Sequence, residues 1–249
     1  MRARALFLKD LCCAGKTLMN FFGHAVIARR KEAARGCADP RRRNPVRAEF
    51  VLGAMLPDFA SMLRVRPPRV SNSALEEGVR FHHATDEAFH GSEWFLEFSR
   101  QASSFLATNG LSRGSARAVA HVGVELELDR ALVQEVAANE AYLSALDAAL
   151  TKPGAGHISW GSSEHEARFQ HLCHSLKIRG AQRGDSSPEL VAERLRNILA
   201  SRPRLALDDA GQSVVRDWVV TARPLIVSRA PLLLTEVERR LEIASSLER

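Results

Sequence analysis

Two ladders of metal-type side chains repeat at four-residue intervals in this chain. The first is His82, Asp86 and His90, and the second is His121, Glu125 and Asp129. Upstream stand His24 and Asp58, the latter inside Leu56-Pro57-Asp58-Phe59. Imidazole and carboxylate together suit zinc, manganese or iron, and a carboxylate-rich set shifts the preference toward manganese or magnesium. Two such ions about 3.5–4 Å apart polarise a phosphoryl oxygen, hold a hydroxide nucleophile and steady the leaving oxygen. The residue types therefore point to a metal-dependent hydrolase with one or more divalent ions, and these eight residues are its candidate ligands.

The flanks weight the candidates. Asp58 sits among Val51, Leu52, Met55, Leu56 and Phe59, and His121 lies inside Ala118-Val119-Ala120-His121-Val122-Gly123-Val124. A charged group in such surroundings needs a counter-charge or a metal. The plainer alternative is that these are ordinary surface or hydrogen-bonding residues, with Asp129 or Glu127 pairing with Arg130. His83 points about 100° away from His82 on a helix and faces substrate or solvent. His157, His165, His171 and His174 form another histidine-rich zone, with only Glu164 and Glu166 as companion acids, and read as surface.

A helix must position the ladders, because 3.6 residues per turn puts i, i+4 and i+8 on one stripe. Helical spacing of apolar residues recurs from Leu75 to Arg100 and from Ala116 to Leu132. It recurs over Val136–Leu150 before Lys152-Pro153-Gly154, over Glu164–Ile178 before Gly180, and from Ser186-Ser187-Pro188-Glu189 to about Ala200. Asp208 to Val227, with a break expected near Pro224, and Pro231 to Leu247 complete the set. β-branched residues rarely cluster and no Asn-Gly or Asp-Gly hairpin signal occurs. The expectation is a single all-α bundle of about eight helices. Its motifs fall within residues 19–150 and its accessory helices within 160–249. Residues 1–18 read as an N-terminal extension, with Met19 as the expected start; a basic targeting tail is the competing reading.

The chain has 249 residues, a net charge of +6 and no apolar run long enough to span a bilayer. Most of the basic groups are arginine, which suits phosphate and carboxylate partners. The stretch Arg29–Arg47, with Arg41, Arg42 and Arg43 at its centre, reads either as a solvated loop or as a basic lip over an anionic substrate. The four cysteines, Cys12, Cys13, Cys37 and Cys173, form no C-x-x-C pair. A disulfide scaffold is not expected, and a reducing cytoplasm fits this usage.

Four segments carry a family resemblance: Met19-Asn20-Phe21-Phe22-Gly23-His24, Gly53-Ala54-Met55-Leu56-Pro57-Asp58-Phe59, Gly78-Val79-Arg80-Phe81-His82-His83-Ala84-Thr85-Asp86 and Glu125-Leu126-Glu127-Leu128-Asp129. Over roughly Met19 to Leu150 the chain resembles the acyl-carrier-protein phosphodiesterases, which remove the phosphopantetheine arm from carrier protein. The resemblance implies an all-α fold similar to HD-type phosphohydrolases and a divalent metal, typically manganese. It places His24, Asp58, His82, Asp86 and Asp129 in the metal site or in catalysis, and an acidic carrier protein as partner. Apart from the resemblance, Arg80, His83 and Arg130 are candidate substrate contacts. The chain departs from that family at His90, at Glu125 and at Arg130, where a histidine is usual, and it contains no His-Asp dipeptide.

A second resemblance is to the zinc-dependent phospholipase C and single-strand nuclease group. It rests on Pro57-Asp58-Phe59, His82…Asp86 and His121…Glu125, with His24 as an early ligand, and makes better use of His121 and Glu125. That group uses a mature N-terminal amine as a ligand and is usually exported; neither signal is seen here. The expected activity is thus phosphodiester hydrolysis with Mn2+ or Zn2+, or Mg2+ or Fe2+. The carrier-protein reading stands first, the lipid or nucleic-acid reading second. A helical binding protein that kept the fold and lost the centre is the non-enzyme alternative.

Overall fold

The computed structural model describes residues 21–37, 46–151, 156–180 and 187–247. Among these the chain is all-α, as expected, with nine helices rather than about eight. They are α1 (Phe21–Cys37), α2 (Ala48–Leu63), α3 (Ser73–His90), α4 (Glu93–Thr108), α5 (Arg113–Leu132), α6 (Val136–Leu150), α7 (Ser163–Arg179), α8 (Pro188–Leu199) and α9 (Asp209–Leu247). Two-residue strands β1 (Arg69–Val70) and β2 (Ile158–Ser159) pair antiparallel, Arg69 opposite Ser159. The expected extension before Met19 and the arginine triplet 41–43 lie outside the described residues.

Two boundaries differ from the periodicity. The Leu75–Arg100 stretch is two helices, because Ser92 ends one and starts the next. Its hydroxyl donates to the Phe89 carbonyl at 2.7 Å and accepts from the Phe95 N–H at 3.2 Å. Glu236 adds a carboxylate on the Glu93 N–H at 2.8 Å, where the helix start favours negative charge. The second difference is that α9 does not break: it runs through Pro224 and Pro231. Each proline removes one helical hydrogen bond. The buried stripe Val219, Ile226, Ala230, Leu233 and Val237 holds the helix together across them.

The helices gather into two compact units. The first holds the described residues within Phe21–Ala88, Leu132–Arg183 and Glu238–Arg249; the second holds those within Phe89–Ala131 and Gly184–Val237.

In the first unit α1 packs on α2 and α6, α2 on α6 and α7, and α6 on α7. Phe50, Phe59, Tyr142, Leu146 and Leu172 are fully buried at its centre. α2 and α3 approach closely at two glycines. A Cβ on Gly53 would collide with the Leu75 carbonyl oxygen, and one on Gly78 with the Phe50 carbonyl oxygen. Both glycines belong to the motif segments, and their missing side chains let the two backbones touch.

The described part of the Arg29–Arg47 stretch is not a free basic lip. Arg47 donates to Glu32 through Nε at 2.8 Å and to Glu77 at 2.9 Å, and Arg35 pairs with the same two carboxylates. Arg30 pairs with Glu135 and Glu238. Burial pushes the Glu32 and Glu77 carboxyls up, but the arginine hydrogen bonds outweigh it and hold both below the usual carboxylate range. These arginines brace α1, α2 and α3. Lys31 lies over the Phe81 ring, 5.0 Å from its centroid, and lines a cavity of about 490 Å³ together with Arg30, Arg35, Glu238 and Glu242 and the apolar Ile27 and Leu241.

In the second unit Gly123 of α5 admits Trp218 of α9, whose ring atoms would stand 2.6 Å and 2.7 Å from an added Cβ. Buried Glu127 takes Arg223 at 2.8 Å and Arg130 at 3.1 Å. The Glu127–Arg130 pair of the plainer reading is therefore present, but on a buried carboxylate rather than at the surface, and it engages the guanidinium of a candidate substrate contact.

Candidate metal centres

The candidate ligands form two groups of three, not one of eight. His24, Asp58 and His82 lie in the first unit, with ligand atoms all within 4.8 Å of one another; His90, His121 and Glu125 do the same in the second. The His82/Asp86/His90 ladder is thus divided. Residues eight apart on a helix are separated by about 12 Å of rise, far more than two ligands of one ion span. Asp86 and Asp129 belong to neither three-residue group.

The first group is buried: His24 is 4%, Asp58 7% and His82 6% exposed. His24 comes from α1, Asp58 from α2 and His82 from α3, so three helices meet at the group. The His82 Nδ1–H donates to the Ala54 carbonyl at 2.9 Å, a contact that the Gly53–Gly78 approach permits. His24 Nδ1 lies 2.7 Å from the Thr85 hydroxyl oxygen. The two imidazoles overlap, with centroids 4.1 Å apart and planes tilted 33°. His24 Nε2 stands 3.9 Å from Asp58 Oδ2, too far for a hydrogen bond. Ligand atoms around a common zinc-like ion lie roughly 3.0–3.5 Å apart, so the His24–Asp58 pair would have to shorten by about 0.4–0.9 Å to seat one.

Burial pushes the His82 pKa down, and this outweighs the opposing pull of the Ala54 carbonyl and the nearby Asp86 carboxylate. The neutral ring is favoured, which is the form that binds metal. Histidine ligands commonly donate their second nitrogen to a carbonyl or carboxylate, which fixes the ring. The donor set and its surroundings therefore fit a divalent cation.

In the second group Glu125 is fully buried on α5, while the side chains of His90 and His121 are 27% and 42% exposed. His90 Nε2 hydrogen-bonds to Glu125 Oε1 at 3.0 Å, and His121 Nε2 lies 3.2 Å from the same oxygen. The two rings stack nearly parallel, 4° apart in plane and 5.0 Å between centroids. Both meet the edge or face of Phe95 at close to a right angle. Two imidazoles and one carboxylate form the donor set of several catalytic zinc sites, which leave a position open.

The remaining candidates lie at the margins. His83 is exposed, its ring edge-on to His82 at 5.3 Å, and Arg80 is exposed. His171 and His174 are exposed, and His157 contacts the Ser71 hydroxyl at 3.0 Å, consistent with a surface zone. Thr85, Ala54, Phe95 and the two glycines are contributors that residue type alone does not flag. Gly53, Ala54, Gly78 and Thr85 do occur within the motif segments that carry the family resemblance. Comparisons with protein-family models, with curated proteins and with solved structures gave no match.

Proposed function

We propose that this chain is a metal-dependent phosphodiester hydrolase with one divalent cation in each of the two three-ligand groups. The observation that carries the reading is the first group. There, a buried carboxylate and two buried imidazoles come together, with both Nδ1 atoms held by Thr85 and Ala54 and with His24 Nε2 3.9 Å from Asp58 Oδ2. A divalent ion bound there supplies Lewis-acid polarisation of a phosphoryl oxygen and a lowered pKa for water. The chain's own part is to provide neutral nitrogen donors, one buried anionic donor, and exclusion of bulk water from the group. Asp86, one turn from His82, adds negative charge nearby.

The grouping of His121 and Glu125 with His90 favours the manner of the zinc-dependent phospholipase C and single-strand nuclease group over that of the carrier-protein phosphodiesterases. The second reading gives those side chains a role, whereas the first relies on Asp129. Elemental analysis of the purified full chain tests the core claim, with about two equivalents of zinc or manganese expected. Protein without stoichiometric metal, whose melting temperature does not rise with either ion, overturns it. Parallel assays on a phospholipid, on single-stranded nucleic acid and on holo carrier protein then choose the substrate. Phosphopantetheine release alone would reverse the order of the two resemblances.

A further inference from the structure

Thr85 touches three polar atoms with a single hydroxyl hydrogen. Its Oγ1 lies 2.8 Å from the His82 carbonyl oxygen, 3.0 Å from the Phe81 carbonyl oxygen and 2.7 Å from His24 Nδ1. Carbonyl oxygens only accept, so the hydroxyl hydrogen belongs to them, in the usual back-bond of a helical threonine. If the hydroxyl donated to His24 instead, its lone pairs would face two carbonyl oxygens at hydrogen-bond distance. The hydroxyl therefore accepts from His24, and His24 carries its proton on Nδ1.

We propose that Thr85 is a positioning residue: it sets the tautomer and orientation of His24 so that the Nε2 lone pair is presented to the metal group. This rests on the metal reading for its consequence, though not for the tautomer itself. Thr85 is fully buried, as are the flanking carbonyls of α3, so water does not substitute for the hydroxyl. The same device operates at His82 with the Ala54 carbonyl as acceptor. The two imidazoles of the group are thus preset by two different acceptors, one of which is a side chain and can be changed.

The variant Thr85→Val keeps the shape and removes the hydroxyl; Thr85→Ser keeps the hydroxyl. Nitrogen-15 NMR of the His24 ring in metal-free protein is expected to show the Nδ1–H tautomer in the parent and in Thr85→Ser, and a mixture in Thr85→Val. Titration with zinc is expected to show the tighter of the two sites weakened about 10–100-fold in Thr85→Val and restored within a few-fold in Thr85→Ser, the range for lost support of a ligating histidine. An unchanged tautomer in Thr85→Val, or a parent protein with the proton on Nε2, overturns the proposal. So does equal zinc affinity in parent and valine variant. A parent that shows the Nδ1–H tautomer but takes up no metal overturns the hydrolase reading and leaves the hydroxyl's role in setting the ring standing. Should the valine variant fail to fold, the tautomer of the parent and of Thr85→Ser still decides the matter.

Discussion

The two three-ligand groups use the same side-chain types to opposite effect. In the first unit the histidine Nδ1 atoms are tied to Thr85 and Ala54, and His24 Nε2 stands 3.9 Å from Asp58 Oδ2. In the second unit His90 Nε2 is hydrogen-bonded to Glu125 itself, and His121 Nε2 is close to the same oxygen. The His90 nitrogen that meets Glu125 is thereby engaged within the group itself. On the proposed metal reading, the first group would take an ion with its Nδ1 atoms already engaged, whereas the second holds Glu125 Oε1 between two imidazoles that an ion would have to displace. Exposure runs the same way, since the first is buried and the second is open on the histidine side. Identical ligand types thus predict neither equal affinity nor equal exchange. What the ring nitrogens do on their far side decides both.

The sharpest way to break this contrast is to remove one carboxylate at a time. Asp58→Ala is expected to abolish the tight site and cut metal content from about two ions to one. Glu125→Gln should abolish only the weak, chelator-labile ion, at a stability cost of about 1–2 kcal/mol for the disturbed buried hydrogen bond. Stepwise removal with a chelator, followed by elemental analysis, checks both. Loss of both ions in either variant, or the reverse order of release, defeats the comparison.

A smaller effect is expected from the helix contact that serves only the first group. Gly78→Ala inserts a methyl group against the Phe50 carbonyl oxygen, so α2 and α3 must separate locally. Overpacking of this kind costs about 1–3 kcal/mol, or roughly 2–12 °C in melting temperature for a chain of this size. It should also weaken the tight metal site by loosening the His82–Ala54 bond, while leaving the Glu125 site untouched. A variant with parental melting temperature and parental tight-site affinity contradicts the close approach.

The smallest effect concerns the arginine bracing of the first unit. Glu32 and Glu77 are held below the ordinary carboxylate range in the folded state. Their contribution is fully present above about pH 4.5 and is lost as the pH falls from there through the depressed folded values, because the unfolded chain takes up the protons first. The melting temperature should therefore drop on acidification below about pH 4.5, and less steeply in Glu32→Gln. Equal slopes in parent and variant would show that the Glu32 pairs do not contribute.

Most of the helices are legible in the sequence. The Val136–Leu150 boundaries agree because Lys152-Pro153-Gly154 follows the helix, and α8 starts on Ser187 with Pro188 at its first position, as the local signals require. The flanks of Asp58 also point the right way, since its carboxylate is buried. An apolar neighbourhood in sequence is a fair guide to burial on a helix, although His121, in the same kind of setting, keeps part of its ring exposed. The continuity of α9 is not legible. Proline is a local signal, and the packing that overrides it comes from Trp218 and its neighbours within the second unit.

By itself, then, the sequence determined the all-α character, most helix ends and the identity of the metal-type residues, because helical period, caps and side-chain chemistry are local properties. Tertiary structure alone decided how those residues are shared out. It split the His82–His90 ladder between two groups and left Asp129 out of both. It also brought Thr85 to His24 across 61 positions and Ala54 to His82 across 28. Spacing on one helix says which residues share a stripe. Which nitrogen of a ring keeps its proton depends on what another helix places beside it.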